Sequence, residues 1–335
     1  PPEQWQCSSV HALTLGLPGY LDGGARVLKL EQQKDSVGKA LIRYFCMPCK
    51  PTKKNDGRTR NLPEHDPEKW KEFKEYCAQD VEVERDLRYK LSQYPIPKQE
   101  RKIWELDQKI NDTGVLVDQH LVENAITCDE SYQEGYFKEA QALTGLENPN
   151  SVAQLKGWIK EATGKTVKSL DKEKVEELLE ETECETVKRV LELRQRMGKT
   201  SIKKYQAMDR AVCPDARVRG LFQFYGANRT GRWAGRLVQV QNLPRNSMPD
   251  LDLARQLLKT GEFELLELFY DSVPEVLSQL IRTALIPSPG HRFIVSDFSA
   301  IEARVIAWLA GEDWRMDVFR SHGKIYEASA SQMFK

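Results

Sequence analysis

The sequence lacks any run of about 18 apolar residues, the length that signals a membrane-spanning helix. It also lacks an initiator methionine, and its first residues, beginning at Pro1, do not resemble a secretory signal peptide. These absences exclude the usual sequence signals of membrane insertion and secretion. We therefore expect a cytoplasmic protein without a membrane partner, whose chain starts inside a longer sequence.

Paired cysteines are scarce as well. The 7 cysteines are odd in number and scattered, which is typical of a reducing compartment rather than of a disulfide framework. Cys46 and Cys49 are the one close pair, and no second pair or pair of histidines follows at a spacing suited to zinc. We expect them to be two ordinary thiols in a loop.

A nucleotide-binding phosphate loop is absent too. Gly198 and Lys199 resemble the end of such a loop, but Leu193 stands where the motif requires its first glycine. The sequence also has no internal repeat, which excludes solenoid architectures.

The net charge of zero hides a strong local asymmetry. Residues 188–236 contain 13 lysines and arginines but only 3 acidic residues, so the rest of the chain carries the compensating negative charge. Surface charge runs usually indicate only a solvated face, but a bias sustained over this length predicts a binding surface for a polyanion, and nucleic acid is the commonest one.

Hydrophobic periodicity predicts a mixed α/β fold of the α+β type. The predicted strands cover residues 114–117, 218–225 and 291–296, the last of them buried. Tyr94-Pro95-Ile96-Pro97 predicts a domain boundary, and residues 118–209 an all-helical arm. The predicted helices cover residues 37–46, 67–91, 98–111, 118–143, 150–160, 169–186, 185–209, 250–260 and 273–283, and one more follows residue 300.

Residues 293–304 carry the most informative pattern. An apolar stretch ends at Asp297, and a helix that follows would bring Glu302 within reach. A carboxylate at a strand end suits Mg²⁺, and two such ions can stabilise the reacting oxygens of phosphoryl transfer. The structural alternative is that Asp297 caps the following helix, and the residues alone leave both interpretations open.

The stretch Asp-Phe-Ser-Ala-Ile-Glu-Ala-Arg at 297–304 resembles motif A of the family A (DNA polymerase I type) DNA polymerases. The resemblance implies that Asp297 binds both catalytic metals, that Phe298 adds a backbone carbonyl, and that Glu302 closes the ribose pocket. Ala300 departs from the usual glutamine. Residues 282–287 and 323–326 resemble flanking family segments, with Tyr326 in place of a histidine. The implied nucleotide-binding residues are Phe298, Ser299, Ile301, Glu302, Arg282 and Tyr326.

Two upstream segments resemble the parts of these polymerases that hold primer–template DNA. Asn228 to Arg232 with Val240 to Pro244 resembles the T-G-R…Q-N-x-P region, although Trp233 to Arg236 departs from the usual L-S-S. Amide and guanidinium donors there could test base-pair geometry through minor-groove acceptors shared by all base pairs. Residues 197–205 resemble a segment that contacts the DNA backbone. The implied DNA-binding residues are Lys199, Thr200, Lys203, Arg229, Arg232, Gln241 and Asn242.

The N-terminal region resembles phage members of the family. Tyr76 and Asp80 have the Y-x-x-x-D spacing of the third motif of proofreading 3′–5′ exonucleases, in which Tyr orients a water and Asp binds a metal. Residues four apart on a helix often simply share a solvated face. The partner carboxylates of such a site would lie upstream, and the later polymerase motifs downstream, so we expect a fragment with part of each site.

The expected architecture is the C-terminal part of a ribonuclease H-like exonuclease domain (1–95), a linker (96–145), a helical thumb (146–215) and an incomplete palm with an antiparallel sheet (216–335). The resemblance implies template-directed DNA synthesis with Mg²⁺, primer–template DNA and dNTPs, in a bacterial cytoplasm or a phage-infected cell. Two alternatives are a 3′–5′ exonuclease with a DNA-binding extension and a non-catalytic DNA-binding relic.

Overall fold

The computed structural model describes residues 1–31, 38–198, 201–227 and 230–334. The chain forms two compact units, Pro1–Ile286 and Pro287–Lys335. Within the covered ranges, no helix is both long enough and apolar enough to span a bilayer.

The first unit begins with four helices, α1 (Ser8–Thr14), α2 (Leu21–Val27), α3 (Gly38–Cys46) and α4 (Pro67–Leu91). The predicted bounds of α4 are confirmed, because Asp66 accepts a hydrogen bond from the Lys69 amide and Pro67 occupies the first turn. One face of α4 packs on α1 and α2 around Val83 and Leu87, and another packs on α3 through an aromatic cluster. Cys46 and Cys49 are free thiols.

The middle of the unit starts with α5 (Lys98–Thr113), the short strand β1 (Val115–Val117) and α6 (Gln119–Thr144). The buried Asp118 caps α6 by accepting from the Leu121 amide, and its carboxylate also binds Arg255 and Lys259.

The predicted helical arm follows as α7 (Val152–Thr163), α8 (Lys172–Glu181) and α9 (Glu185–Met197), which share a hydrophobic core of their own. The prediction of one continuous helix over 185–209 is wrong. The chain forms α9 and then α10 (Ile202–Ala211), and the Gly198 amide closes α9 on the Arg194 carbonyl. Glycine is a poor helix former, and here it ends the helix.

Two antiparallel sheets confirm the mixed α/β class. β1 lies between β2 (Arg217–Val218) and β5 (Leu285–Ile286). The second sheet is a hairpin of β3 (Phe222–Ala227) and β4 (Arg232–Gly235). The predicted single strand over 218–225 is therefore split, at Gly220 with φ of +67°. The strand β4 was not predicted.

The main core joins α6 and α10 to α11 (Leu251–Thr260), α12 (Phe263–Phe269) and α13 (Val273–Leu280). Tyr205 is fully buried there, and its hydroxyl donates a hydrogen bond of 2.7 Å to the Leu277 carbonyl. Burial of a tyrosine of this size requires such a partner for its hydroxyl. The helix α12 was not predicted.

The second unit contains α14 (Ile301–Ala310), α15 (Asp313–Arg320) and α16 (Ile325–Met333), which pack around Ala307, Phe319 and Ile325.

The prediction of a buried strand over 291–296 is wrong for this structure. The segment forms no strand and is exposed, with Ile294 and Val295 85% and 90% accessible. An apolar run becomes a strand only when a neighbouring strand pairs with its backbone, and no such neighbour occurs among the described residues. Two large apolar side chains of α14 are likewise exposed, with Trp308 and Leu309 68% and 71% accessible.

Candidate nucleic-acid and nucleotide site

The hairpin β3–β4 presents the Thr-Gly-Arg segment. Its strands pair antiparallel with Phe222 opposite Gly235 and Ala227 opposite Arg232, and the register shifts between these pairs. Gly231 has φ of +66°, and a Cβ there would lie 2.9 Å from the Tyr225 ring. Only glycine therefore suits this turn. Arg232 follows it at the start of β4, exposed to solvent.

The last turn of α5 contacts the hairpin through Asn111, which hydrogen-bonds the backbone of β3. The sequence motifs did not indicate this contact. The Asn111 side chain acts as a neighbouring strand would: its Oδ1 accepts from the Phe222 amide at 2.9 Å, and its Nδ2 donates to the Phe222 carbonyl at 3.0 Å. The same Nδ2 donates to the buried Asp107 at 3.2 Å. The Asn111 carbonyl also accepts from the Gly220 amide.

The other part of the predicted primer–template segment, Val240 to Pro244, begins with a short 3₁₀ turn at Val240–Asn242. Gln241 and Asn242 are exposed there, and the Gln241 side chain lies where a Cβ at Gly235 would sit. Gly235 therefore permits the close approach of this turn to β4, and the structure brings Gln241 and Asn242 to the same hairpin as Arg232.

Two cations anchor the backbone of this segment. Arg282, a predicted nucleotide contact, donates to the Pro244 carbonyl at 2.6 Å and to the Leu243 carbonyl at 2.8 Å. Lys204 donates to the Val238 carbonyl at 2.7 Å, and burial lowers the pKa of its ammonium. Arg282 thus has a structural role here, and its contact with a nucleotide stays a prediction.

The basic window 188–236 is partly neutralised within the unit. The Arg219 guanidinium donates to Asp215 and holds the pKa of that carboxyl at about 2. Lys203 stays exposed on α10. Lys199, Thr200 and Arg229 lie outside the described residues. Ion pairs that involve described cations of the window include Lys188 with Glu185, Arg189 with Glu139, and Arg219 with Asp215.

In the second unit, the structural alternative for Asp297 is wrong. The N-cap of α14 is Ala300, in the left-handed conformation with φ of +51°, and no side chain caps the helix. Asp297 is exposed, and no described residue makes a hydrogen bond or ion pair with its carboxylate. The carboxylate therefore has no structural partner that would explain its presence.

Glu302 and Tyr326, 24 residues apart in sequence, line one open cavity of about 470 Å³. Ile301 and Arg315 contribute to the same walls. Phe298 and Ser299, which precede α14 in the chain, are both exposed. The structure thus brings together three of the predicted nucleotide-binding residues, Ile301, Glu302 and Tyr326, with Arg315 beside them.

The donors at 297–298 suit a hard cation, because a carboxylate and a backbone carbonyl are oxygen ligands. In the ranges that the structure covers, no three His, Cys, Asp or Glu side chains are grouped closely enough to hold a metal ion. A carboxylate and a backbone carbonyl fit Mg²⁺ chemically, and the binding of the metal by Asp297 and Phe298 stays a prediction.

The predicted exonuclease pair lies on α4. Tyr76 is buried, 6% accessible, and its ring stacks on Phe73 at 6.2 Å between centroids. Asp80, one turn later, is half-buried. The Tyr76 ring belongs to the aromatic cluster between α3 and α4, so it has a packing role whether or not it also orients a water molecule.

Comparison with known proteins assigns most of the chain to a protein family. The family model for DNA polymerase family A matches residues 123–335. The DNA polymerase of Bacillus phage SP02 is 67% identical over 334 residues, covering 100% of this chain and 51% of that protein. The chain thus spans about half the length of this relative. DNA polymerase I of Chloroflexus aurantiacus is 39% identical over 54 residues, 16% of this chain and 6% of that protein.

Among solved structures, the chain is similar to the POL domain of Pol1 from M. smegmatis in a complex with DNA primer-template and dNTP. The identity is 15% and the TM-score 0.48, over 90% of this chain and 47% of that one.

Proposed function

The chain belongs to DNA polymerase family A, and from that premise we propose that the protein containing it extends a DNA primer with dNTPs under the direction of a template. The family match includes both the Thr-Gly-Arg hairpin and the segment 297–304. Because the chain spans about half of its phage relative, the proposal concerns the activity of the whole protein.

The observation that carries the proposal is the state of Asp297. Its carboxylate is exposed, does not cap α14, and has no partner among the described side chains. An exposed acid without a structural partner, directly before a helix that carries Glu302, suits a group that acts on a bound ligand. Asp297 and the Phe298 carbonyl would hold Mg²⁺, which when bound neutralises charge that develops during phosphoryl transfer.

The cavity beside α14 is the proposed nucleotide pocket. Glu302 forms the wall that faces the sugar, where a carboxylate and its neighbours leave no room for a 2′-hydroxyl. The Tyr326 hydroxyl donates a hydrogen bond to a phosphate without adding charge. Arg315 lies on the same cavity and pairs with Glu312 at 2.9 Å, so a phosphate bound there would share its guanidinium with that carboxylate. Phe298, Ser299 and Ile301 are the remaining proposed contacts, with Arg282.

The hairpin surface is the proposed primer–template contact. Arg232, Gln241 and Asn242 present donors to minor-groove acceptors that every base pair shares, so they respond to pairing and not to sequence. Lys203 and the residues outside the described ranges, Lys199, Thr200 and Arg229, would bind the phosphate backbone, which gives affinity that falls with salt.

Residues 1–95 are proposed to be the C-terminal part of a proofreading 3′–5′ exonuclease domain, with Asp80 as a metal ligand. The chain's similarity to a phage polymerase supports the cytoplasm of an infected bacterium as the proposed site of action. Metal-dependent 3′→5′ degradation by the whole protein, lost in Asp80→Ala, is the expected result. Degradation that survives this change would remove Asp80 from the site.

Primer extension by the whole protein tests the proposed function. Asp297→Asn should abolish extension while DNA affinity stays near that of the unmodified protein, since the carboxylate acts on metal and not on the duplex. Asp313→Asn is a matched control, because Asp313 is another exposed carboxylate of the same unit, and it should retain extension. Extension by Asp297→Asn at the unmodified rate would contradict the proposal.

A further inference from the structure

A second basic surface lies far from the window 188–236 in sequence. Residues 39–60 contain seven lysines and arginines but a single acidic residue, Asp56. Six of the seven are exposed and Arg58 is half-buried. No described acidic side chain forms an ion pair with any of them. We call this set the N-terminal basic surface: Lys39, Arg43, Lys50, Lys53, Lys54, Arg58 and Arg60.

The loop that carries most of these cations has a fixed backbone. The Cys49 amide donates to the Thr59 carbonyl at 2.7 Å and closes the loop at its base. Thr52 and Asn55 form a capping box around its 3₁₀ turn, and the Asn55 amide group also donates to the Lys50 carbonyl at 2.9 Å. A charge run that served only solubility would not require this internal bonding, whereas a preorganised surface lowers the entropy cost of binding.

The buried Asn61 joins the loop to α3. It is 8% accessible, donates to the Tyr44 carbonyl at 2.9 Å, and accepts from the Arg58 guanidinium at 2.9 Å. Lys39 and Arg43, one turn apart on α3, line an open cavity of about 640 Å³ together with Tyr44, Cys49 and Asn61. The helix and the base of the loop therefore form one continuous positive surface.

Neighbouring acids do not cancel this charge. Asp66, in the turn before α4, is already paired with Lys69 at 2.6 Å. The Lys69 ammonium also lies over the Tyr44 ring at 4.5 Å. The pair Asp66–Lys69 is neutral as a unit, so the surface keeps its positive charge.

We propose that the N-terminal basic surface binds the phosphodiester backbone of DNA, as a contact separate from the β3–β4 hairpin. Exposed cations that have no acidic partner among the described residues, on a backbone held by its own hydrogen bonds, suit a polyanion of regular phosphate spacing. The cations bind phosphates and leave the bases unread, so both a single strand and a duplex can supply this chemistry. The inference rests on the proposed function for its choice of DNA as the polyanion.

The test measures binding of fluorescently labelled 20-nucleotide single-stranded and duplex DNA to the 335-residue chain at several salt concentrations. The variant combines Lys50→Gln, Lys53→Gln and Lys54→Gln, all exposed. The matched control combines Lys71→Gln, Lys74→Gln and Lys90→Gln, exposed lysines of α4 that give the same change in net charge. Circular dichroism checks that both variants are folded.

The loop variant should lower the salt slope of log K by about 2 for a single strand, because each lost phosphate contact removes about 0.7 from that slope, and should weaken binding on the order of tenfold or more. The control should change neither. If the loop variant loses affinity for single-stranded DNA, the surface binds a single strand; if it loses affinity for duplex DNA, the surface binds a duplex. Equal losses in the two variants, unchanged binding in the loop variant, or loop-dependent binding to anionic vesicles but not to DNA would overturn the inference.

An Arg232→Gln variant separates this result from the proposed function. If it weakens duplex binding while the loop variant does not, the N-terminal basic surface fails and the proposed function stands. If the unmodified chain binds neither form of DNA, both fail.

Discussion

Asn111→Ala should loosen the β3–β4 hairpin. The change removes both hydrogen bonds to the Phe222 backbone, at 2.9 and 3.0 Å. Leaving a buried donor or acceptor unsatisfied costs roughly 1–3 kcal/mol per group. Phe222 is half-buried, so water can replace part of the loss, and we expect about 2–3 kcal/mol of local destabilisation.

Hydrogen exchange followed by mass spectrometry measures this effect directly. A loss of about 2 kcal/mol in the free energy of local opening corresponds to roughly 30-fold faster exchange of the hairpin amides. Peptides covering 217–236 should show this acceleration, while peptides from α7 and α8 should exchange as before. Affinity for duplex DNA should fall in parallel, since the hairpin carries Arg232.

Asn124→Ala is the matched control. The Asn124 amide group donates to the Leu258 and Lys259 carbonyls at 3.0 and 2.9 Å, so it also loses two hydrogen bonds to backbone, but between α6 and α11. It should destabilise that contact and leave hairpin exchange and DNA affinity unchanged. Unaltered hairpin exchange in Asn111→Ala, or equal hairpin effects in both variants, would refute the reasoning.

Three further predictions concern stability. Asp118→Ala should cost about 3–5 kcal/mol in urea denaturation, because it leaves Arg255 without its buried partner and removes the cap of α6; a loss below 1 kcal/mol would contradict this. Burial raises the pKa of Asp107, so its folded form binds a proton more readily and stability falls as pH rises from about 4 through that raised pKa; Asp107→Asn should remove this fall, and an unchanged pH profile would count against it. Gly231→Ala should cost about 1–2 kcal/mol through its left-handed backbone and the Tyr225 contact, and a neutral result in thermal denaturation would disprove the strain.

Local signals predicted the helices well. The start of α4 followed from Pro67 and the acidic residue after it, because a first-turn proline and the helix dipole act within a few residues. The break between α9 and α10 was missed because glycine lowers helix stability without always ending a helix. The helix α12 and the strand β4 are short, and their existence depends on packing partners that periodicity does not specify.

The candidate site also combines residues that the sequence suggested with features that only tertiary packing produces. Asp297 and Glu302 were proposed from the pattern of residues 293–304 together with the family resemblance, but the cavity shared by Glu302 and Tyr326 results from tertiary packing in the second unit. The role of Asn111 could not be inferred, because its partner Phe222 lies 111 residues away. The burial of residues 291–296 was predicted incorrectly, since an apolar run indicates a tendency to be buried without supplying the strand that would cover it.

Nucleotide selection during primer extension by the whole protein tests the central claim most directly. Asp297→Ala and Glu302→Ala are compared for dNTP and rNTP incorporation, with folding and DNA affinity measured alongside. We predict that Asp297→Ala loses incorporation of both nucleotides while staying folded and bound to DNA, and that Glu302→Ala keeps incorporation but gains rNTP relative to dNTP. A folded Asp297→Ala protein that incorporates dNTPs at near the unmodified rate would contradict the assignment of this segment as the polymerase site.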